Sequence, residues 1–236
     1  MSENAASPLR TPGHLRGPDD KVARPRGAAT ILLVRRDGGS LRVLMGRRNS
    51  GHDFMPNLWV FPGGRIDRAD YRAPHATDLR HDVSARMAAF TPLHKARALA
   101  MAAVRETWEE AGLLLGKPVP KRPISGVWRS FFAEGVAPDL AALEVIGRAI
   151  TPPMVRRRFD TWFLMADAER LVSLDRKSDC GELEEIAWME LAEVEKLPLP
   201  PVTLHMLQET HRRVENPHHP PVFFRFESGK PVWGKL

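Results

Sequence analysis

Three glutamates and one arginine fall within the six residues Arg105-Glu106-Thr107-Trp108-Glu109-Glu110. On a helix, residues three and four apart are surface neighbours. Glu106, Glu109 and Glu110 then form one carboxylate patch. At about 100° per residue they share a side with Arg105, while Ala100, Val104, Trp108 and Ala111 share the opposite, apolar side. Like charges this close repel one another, and a cation relieves the repulsion. Hard oxygen donors of this kind suit Mg²⁺ or Mn²⁺, which bind through carboxylates together with substrate phosphates. Arg105 is placed to pair with a carboxylate and hold it. The plain alternative is a solvated acidic face, the usual fate of a charge run.

A second stretch shifts the balance towards chemistry. Leu58-Trp59-Val60-Phe61 is a short apolar strand that meets Pro62-Gly63-Gly64, followed by the acids Asp67 and Asp70. Paired glycines let a backbone turn tightly and approach a ligand closely. The acidic helix is expected from about Ala96 to Ala111, since Ala, Leu, Met and Arg dominate its first half. Gly112 fits the left-handed position just past its end.

Together the two stretches resemble the signature of the Nudix hydrolases. Gly64, Asp70, Arg105, Glu106, Glu109, Glu110, Gly112 and Leu113 occupy the places of that motif. Two departures stand out. The first acid is Asp70 where the family usually has Glu. Asp70 and Arg105 are 35 residues apart, far more than in the uninterrupted motif, so an insertion at about 71–97 stands inside it. An insertion here, together with Phe54-Met55-Pro56 upstream, resembles the branch that contains the peroxisomal coenzyme A diphosphatase of animals.

The resemblance implies an α/β protein, a Nudix-type α/β/α sandwich with a mixed β-sheet. It implies Mg²⁺- or Mn²⁺-dependent hydrolysis of a small-molecule diphosphate, with coenzyme A or acyl-CoA first and ADP-ribose, NADH or another dinucleotide next. A catalytically silent nucleotide-binding regulator is the reading from another class. Glu106, Glu109, Glu110 and the Gly64 carbonyl are the implied metal ligands. Glu106, Arg105, Asp70 and Glu182, in the acidic loop before a late strand, are the implied catalytic groups. In this reading Asp70 or Glu182 holds a water or takes the proton. Arg47, Arg48 and Phe61 are the expected substrate contacts.

The remaining chain must position these residues. Residues 1–26 are rich in Pro, Gly, Ser and Arg and read as a mobile arm. A single domain is expected over 27–236. Ala29 to Val34 is a continuous apolar run, fitting a strand covered on both faces, and 41–47 returns as its hairpin partner. A short helix is expected near Asp82 to Ala89, covering the site or meeting a second subunit, which leaves room for a homodimer. His75, His81 and His94 match no zinc spacing. Trp128, Phe131 and Phe132 read as core on a short helix. Further helices are expected at 139–148, 191–196 and 202–214, and strands at 156–166, 184–189 and 222–226.

Composition narrows the class. The net charge is +6, but the basic residues lack the aromatic interleaving of a nucleic-acid surface, so no nucleic-acid partner is expected. No apolar run reaches the length of a membrane span, so no membrane partner is expected. No secretory signal is evident. Cys180 is the single cysteine, which fits a reducing compartment and an expected cytoplasmic location.

Overall fold

The apolar run read from the sequence becomes the axis of the sheet. The computed structural model describes residues 15–17, 21–51, 56–177, 183–228 and 230–236. In it, strand β1 spans Arg26–Asp37 and is buried from Ala28 to Val34. Gly38 and Gly39, with φ of 57° and 91°, form a two-residue hairpin loop of the kind that needs left-handed backbone at both positions. Strand β2 (Ser40–Arg48) then returns antiparallel to β1. Strands β3 (Trp59–Val60) and β4 (Gly63–Arg65) follow. After a 3-10 turn at Arg68–Tyr71 come helices α1 (His81–Ala88) and α2 (Leu93–Ala111).

Strand β5 (Gly116–Pro118), helix α3 (Arg129–Ala133) and strand β6 (Val136–Pro138) come next, and β5 pairs with β6 outside the main sheet. Strands β7 (Glu144–Ile150), β8 (Phe159–Asp167) and β9 (Leu183–Glu190) precede helices α4 (Leu191–Val194) and α5 (Pro201–Glu215). Strands β10 (Val222–Glu227) and β11 (Lys230–Lys235) close the described chain.

Among the described residues, nine strands make one sheet, in the order β11-β10-β7-β8-β1-β2-β3, with β4 on β1 and β9 on β2. The β1–β8 and β7–β10 pairs are parallel and the other pairs antiparallel, so the sheet is mixed. One edge of β1 is paired with β8 from Arg26 to Val34. Its other edge is divided: β4 takes Ala28 to Thr30 and β2 takes Val34 to Asp37.

Alternation along the strands sorts the core into two layers. Ala29, Ile31 and Leu33 of β1, with Trp162, Leu164 and Ala166 of β8, pack with α1, α2 and α3. Leu32 and Val34, with Phe163 and Met165, pack with Val194 of α4 and Met206 and Leu207 of α5. The chain is thus the expected α/β/α sandwich. Each fully buried large apolar side chain contributes about 1.5–3 kcal/mol. Among the described residues no helix is long and apolar enough to cross a membrane.

Several elements differ from expectation. The helix expected over 139–148 is a 3-10 turn at Leu140–Ala142 followed by β7. Val145, Ile146 and Ile150 are β-branched, and pairing with β8 and β10 outweighs the local helical pattern. α2 begins at Leu93, one turn earlier than expected. β5 and β11 have no counterpart among the expected strands. Described residues of the N-terminal arm run beside the 154–158 segment: Arg16 donates its N–H to the Met154 carbonyl (2.7 Å), and Arg158 donates to the Ala23 carbonyl (2.9 Å).

The insertion is part of the core. Leu79, Val83 and Met87 are buried in the α2-side layer, and Arg97 of α2 forks onto Asp78 at 2.6–2.9 Å. Truncating the fully buried Met87 (0% exposed) to alanine is expected to cost about 2–5 kcal/mol of stability, measured by denaturant unfolding. Unchanged stability would mean that α1 is not docked as described.

Candidate active site

The site is built outward from one buried ion pair. Arg105 and Asp70 have side chains only 6% and 0% exposed. Arg105 donates Nε to Asp70 Oδ1 (3.0 Å) and Nη2 to Asp70 Oδ2 (3.1 Å). Its Nη2 also donates to the Arg65 carbonyl (3.0 Å), and its Nη1 donates to Glu106 (2.9 Å) and Glu109 (2.6 Å). A guanidinium has five N–H donors, and five bonds are made. Burial opposes the charge on Arg105, but Asp70, Glu106 and Glu109 outweigh it, so its pKa is held above the ordinary guanidinium value.

Asp70 is equally saturated. Besides the Arg105 fork it accepts from the Trp128 indole N–H (3.0 Å) and the Asp67 backbone N–H (2.7 Å). Asp67 in turn caps the 3-10 turn by accepting from the Ala69 N–H. A carboxylate offers about four acceptor positions, and all are used in a buried pocket. The expected role of Asp70 as base or water holder does not suit these surroundings. Its position makes it the anchor of Arg105.

The glycine corner meets the carboxylate helix directly. Glu110, 6% exposed, accepts the Gly63 backbone N–H at 2.7 Å. The Glu106 carboxylate lies so close to Gly64 that a Cβ there would sit 2.3 Å from its Oε1. A Cβ at Gly63 would lie 2.5 Å from Thr30 Cα. Neither position has room for a side chain.

Glu106 and Glu110 open onto a cavity of about 710 Å³. Its floor is a strip of alternate residues from two paired strands: Arg26 beside Phe159, Ala28 beside Thr161, and Thr30 beside Phe163. Val60 and Phe61 form a wall and α5 adds Thr203. Arginines dominate the rest of the lining: Arg24, Arg48 and Arg65, and the run Arg156–Arg158.

The site residues expected from the sequence are therefore distributed as follows. Glu106, Glu110, Gly64, Arg48 and Phe61 meet at this cavity. Glu109 joins them through Arg105. Arg47 does not line it; Arg47 pairs with Glu184 (3.5 Å) and Glu185 (3.3 Å) on β9. Glu182, Phe54 and Met55 lie outside the described residues. No residue of the insertion lines the cavity, so the expected covering role is not what the structure shows. Among the described residues no three carboxylate or imidazole groups converge on one ion position. The donor chemistry still fits a hard divalent ion. Two carboxylates line a cavity beside a side-chain-free backbone, and Mg²⁺ usually takes its other ligands from water and phosphate.

Two features escaped the sequence reading. The sequence points to Trp128 as core, with stacking on a base as the alternative, whereas its buried indole N–H needs a partner and finds it in Asp70. The Arg156-Arg157-Arg158 run was read as the start of a strand, although three adjacent arginines are themselves a signal for anions.

Sheet, glycine corner and carboxylate helix define an α/β/α protein with two carboxylates facing a cavity at the corner. No family model matches the chain. It is 28% identical over 202 residues to "Putative nudix hydrolase 7" of Caenorhabditis elegans, covering 77% of this chain and 59% of that protein. It is 28% identical over 209 residues to the acyl-coenzyme A diphosphatase NUDT19 of Gallus gallus, covering 61% of this chain and 55% of that protein. The chain thus spans little more than half the length of these curated relatives. The crystal structure of a NUDIX hydrolase from Alicyclobacillus acidocaldarius superposes with a TM-score of 0.58 at 26% identity, over 80% of this chain and 91% of that one. In sequence and in fold the chain is similar to Nudix hydrolases.

Asp70→Asn keeps the shape of the anchor and removes its charge, leaving Arg105 buried without its main partner. The expected loss is about 3–5 kcal/mol of stability by denaturant unfolding. A loss below about 1 kcal/mol, the level of an exposed pair, would contradict the anchor.

Proposed function

We propose that this protein hydrolyses the phosphoanhydride bond of a nucleoside diphosphate-linked small molecule, with coenzyme A or acyl-CoA as the first candidate substrate. The observation that carries the reading is the opening of Glu106 and Glu110 onto one cavity at the glycine corner. The likeness to an acyl-coenzyme A diphosphatase supports the substrate choice, and ADP-ribose and NADH are the alternatives.

A divalent ion, Mg²⁺ or Mn²⁺, supplies charge neutralisation and Lewis acidity at these carboxylates when bound. Glu106 and Glu110 would hold it from the cavity wall, with Glu109 and the Gly64 carbonyl as further candidate donors. Arg105 holds Glu106 and Glu109 in register, so these carboxylates lose little freedom when they engage an ion. Arg48 steadies the phosphates, a task suited to a guanidinium fork, and Phe61 closes the apolar side. Glu106 accepts a proton from the attacking water, or Glu182 does. Asp70 takes no part except through Arg105.

A panel of coenzyme A, acyl-CoA, ADP-ribose and NADH, assayed with Mg²⁺, Mn²⁺ or EDTA, tests the proposal. Turnover is expected with coenzyme A and either ion, and none with EDTA. Glu106→Gln is expected to lower kcat by about 100-fold or more at an unchanged melting temperature. Undiminished turnover in EDTA or in Glu106→Gln would falsify the assignment. Binding without any turnover would instead indicate a nucleotide-binding regulator.

A further inference from the structure

The carboxylate helix is tied to a segment well outside the Arg105–Leu113 motif. The 3-10 turn Gly126–Trp128 leads directly into α3. Trp128, at the end of the turn, donates its indole N–H to Asp70 Oδ1 at 3.0 Å. Ser130, on α3, accepts the indole N–H of Trp108 at 3.0 Å. Trp108 stands on α2 between Glu106 and Glu109 in sequence. One indole therefore reaches from the segment to the anchor, and the other reaches back from the carboxylate helix to the segment.

Aromatic packing holds both indoles in place. Trp128 is 0% exposed. Its ring meets Phe131 edge-on, at 5.3 Å between centroids, and Phe132 at 5.9 Å. Phe131 also meets Trp108 edge-on at 6.4 Å. Packing alone would be served by any large apolar ring. The N–H is what distinguishes tryptophan here, and it goes to the same Asp70 oxygen that receives Arg105 Nε. A chain of hydrogen bonds results. Trp128 holds Asp70, Asp70 holds Arg105, and Arg105 Nη1 holds Glu106 and Glu109, with every link 3.1 Å or shorter.

We infer that Trp128 is a positioning residue for the carboxylate site. By fixing Asp70 it keeps Arg105, and through Arg105 the glutamates, in the arrangement that receives a divalent ion. Without the indole N–H, a fully buried carboxylate loses one of its four donors, and Arg105 loses the fixed point from which it orients Glu106 and Glu109. The inference rests on the ion chemistry proposed for these glutamates. It adds a residue that touches neither ion nor substrate.

The test measures Mn²⁺ binding to the whole protein by calorimetry, without nucleotide. Trp128→Phe removes the donor and keeps an aromatic ring. Phe132→Leu loosens the same aromatic cluster and leaves the donor in place. Mn²⁺ affinity is expected to fall about 10-fold in Trp128→Phe, the lower end of the effect of removing a partner behind a metal ligand, and to stay at the wild-type level in Phe132→Leu. Equal affinity in Trp128→Phe and wild-type protein, or equal weakening in the two variants, overturns the role of Trp128 alone. Wild-type protein that binds no Mn²⁺, or Glu106→Gln protein that binds it undiminished, overturns the ion site and this role with it. Coupling between two sites is reciprocal, so Mg²⁺ also acts on Trp128 in the wild-type protein. The nuclear magnetic resonance signal of its indole proton is expected to shift as Mg²⁺ is added, with the midpoint of ion binding. A signal that stays fixed overturns the role even if Trp128→Phe fails to fold.

Discussion

A guanidinium with every donor occupied, set in a buried pocket, is the constraint on which the rest of the site depends. Burying Arg105 and Asp70 costs several kcal/mol per ion. The cost is offset only because the geometry is complete, with five donors on one side and four acceptor positions filled on the other. Completeness has a structural consequence. The same guanidinium reaches Asp70 after β4, the Arg65 carbonyl within β4, and Glu106 and Glu109 on α2. It therefore locks the glycine strand, the turn behind it and the carboxylate helix into one relative position. The glutamates are oriented before any ion arrives.

Much of this was legible in the sequence, because its signals are local and chemically specific. The wheel from Arg105 to Glu110 put the carboxylates and the arginine on one side, and the glycine pair announced a corner without side chains. The run Ala29 to Val34 announced a doubly covered strand. The failures share one cause, contact between distant segments. Residues 139–148 look helical until β8 and β10 are available to pair with Val145 to Ile150. Asp70 reads as a catalytic acid because of its place in the motif. Only the fold brings Trp128 and Arg105 onto it and buries it. Arg47 and Arg48 are adjacent in sequence, but pleating and the β9 partner send one to a surface pair and the other to the cavity.

Both faces of the sheet contribute to the cavity. α2 packs on the face of Ala29, Ile31 and Leu33, whereas the floor is drawn largely from the alternate residues and is met by Thr203 of α5. Carboxylates from one layer reach a space floored by the other at β4, where Gly63 and Gly64 leave nothing but backbone in between. The divided edge of β1 makes room for this, since β2 and β4 share it and neither runs its full length.

The route of the insertion carries a further consequence. The chain departs just after Asp70 and re-enters at Leu93, twelve residues before Arg105. That is about 18 Å of helix at 1.5 Å per residue. Changes in the outer part of the excursion reach Glu106 and Glu109 through α2, whereas its first residues share the 3-10 turn that holds Asp70. The exposed middle of the excursion therefore has room to vary without displacing the carboxylates, while its buried residues do not.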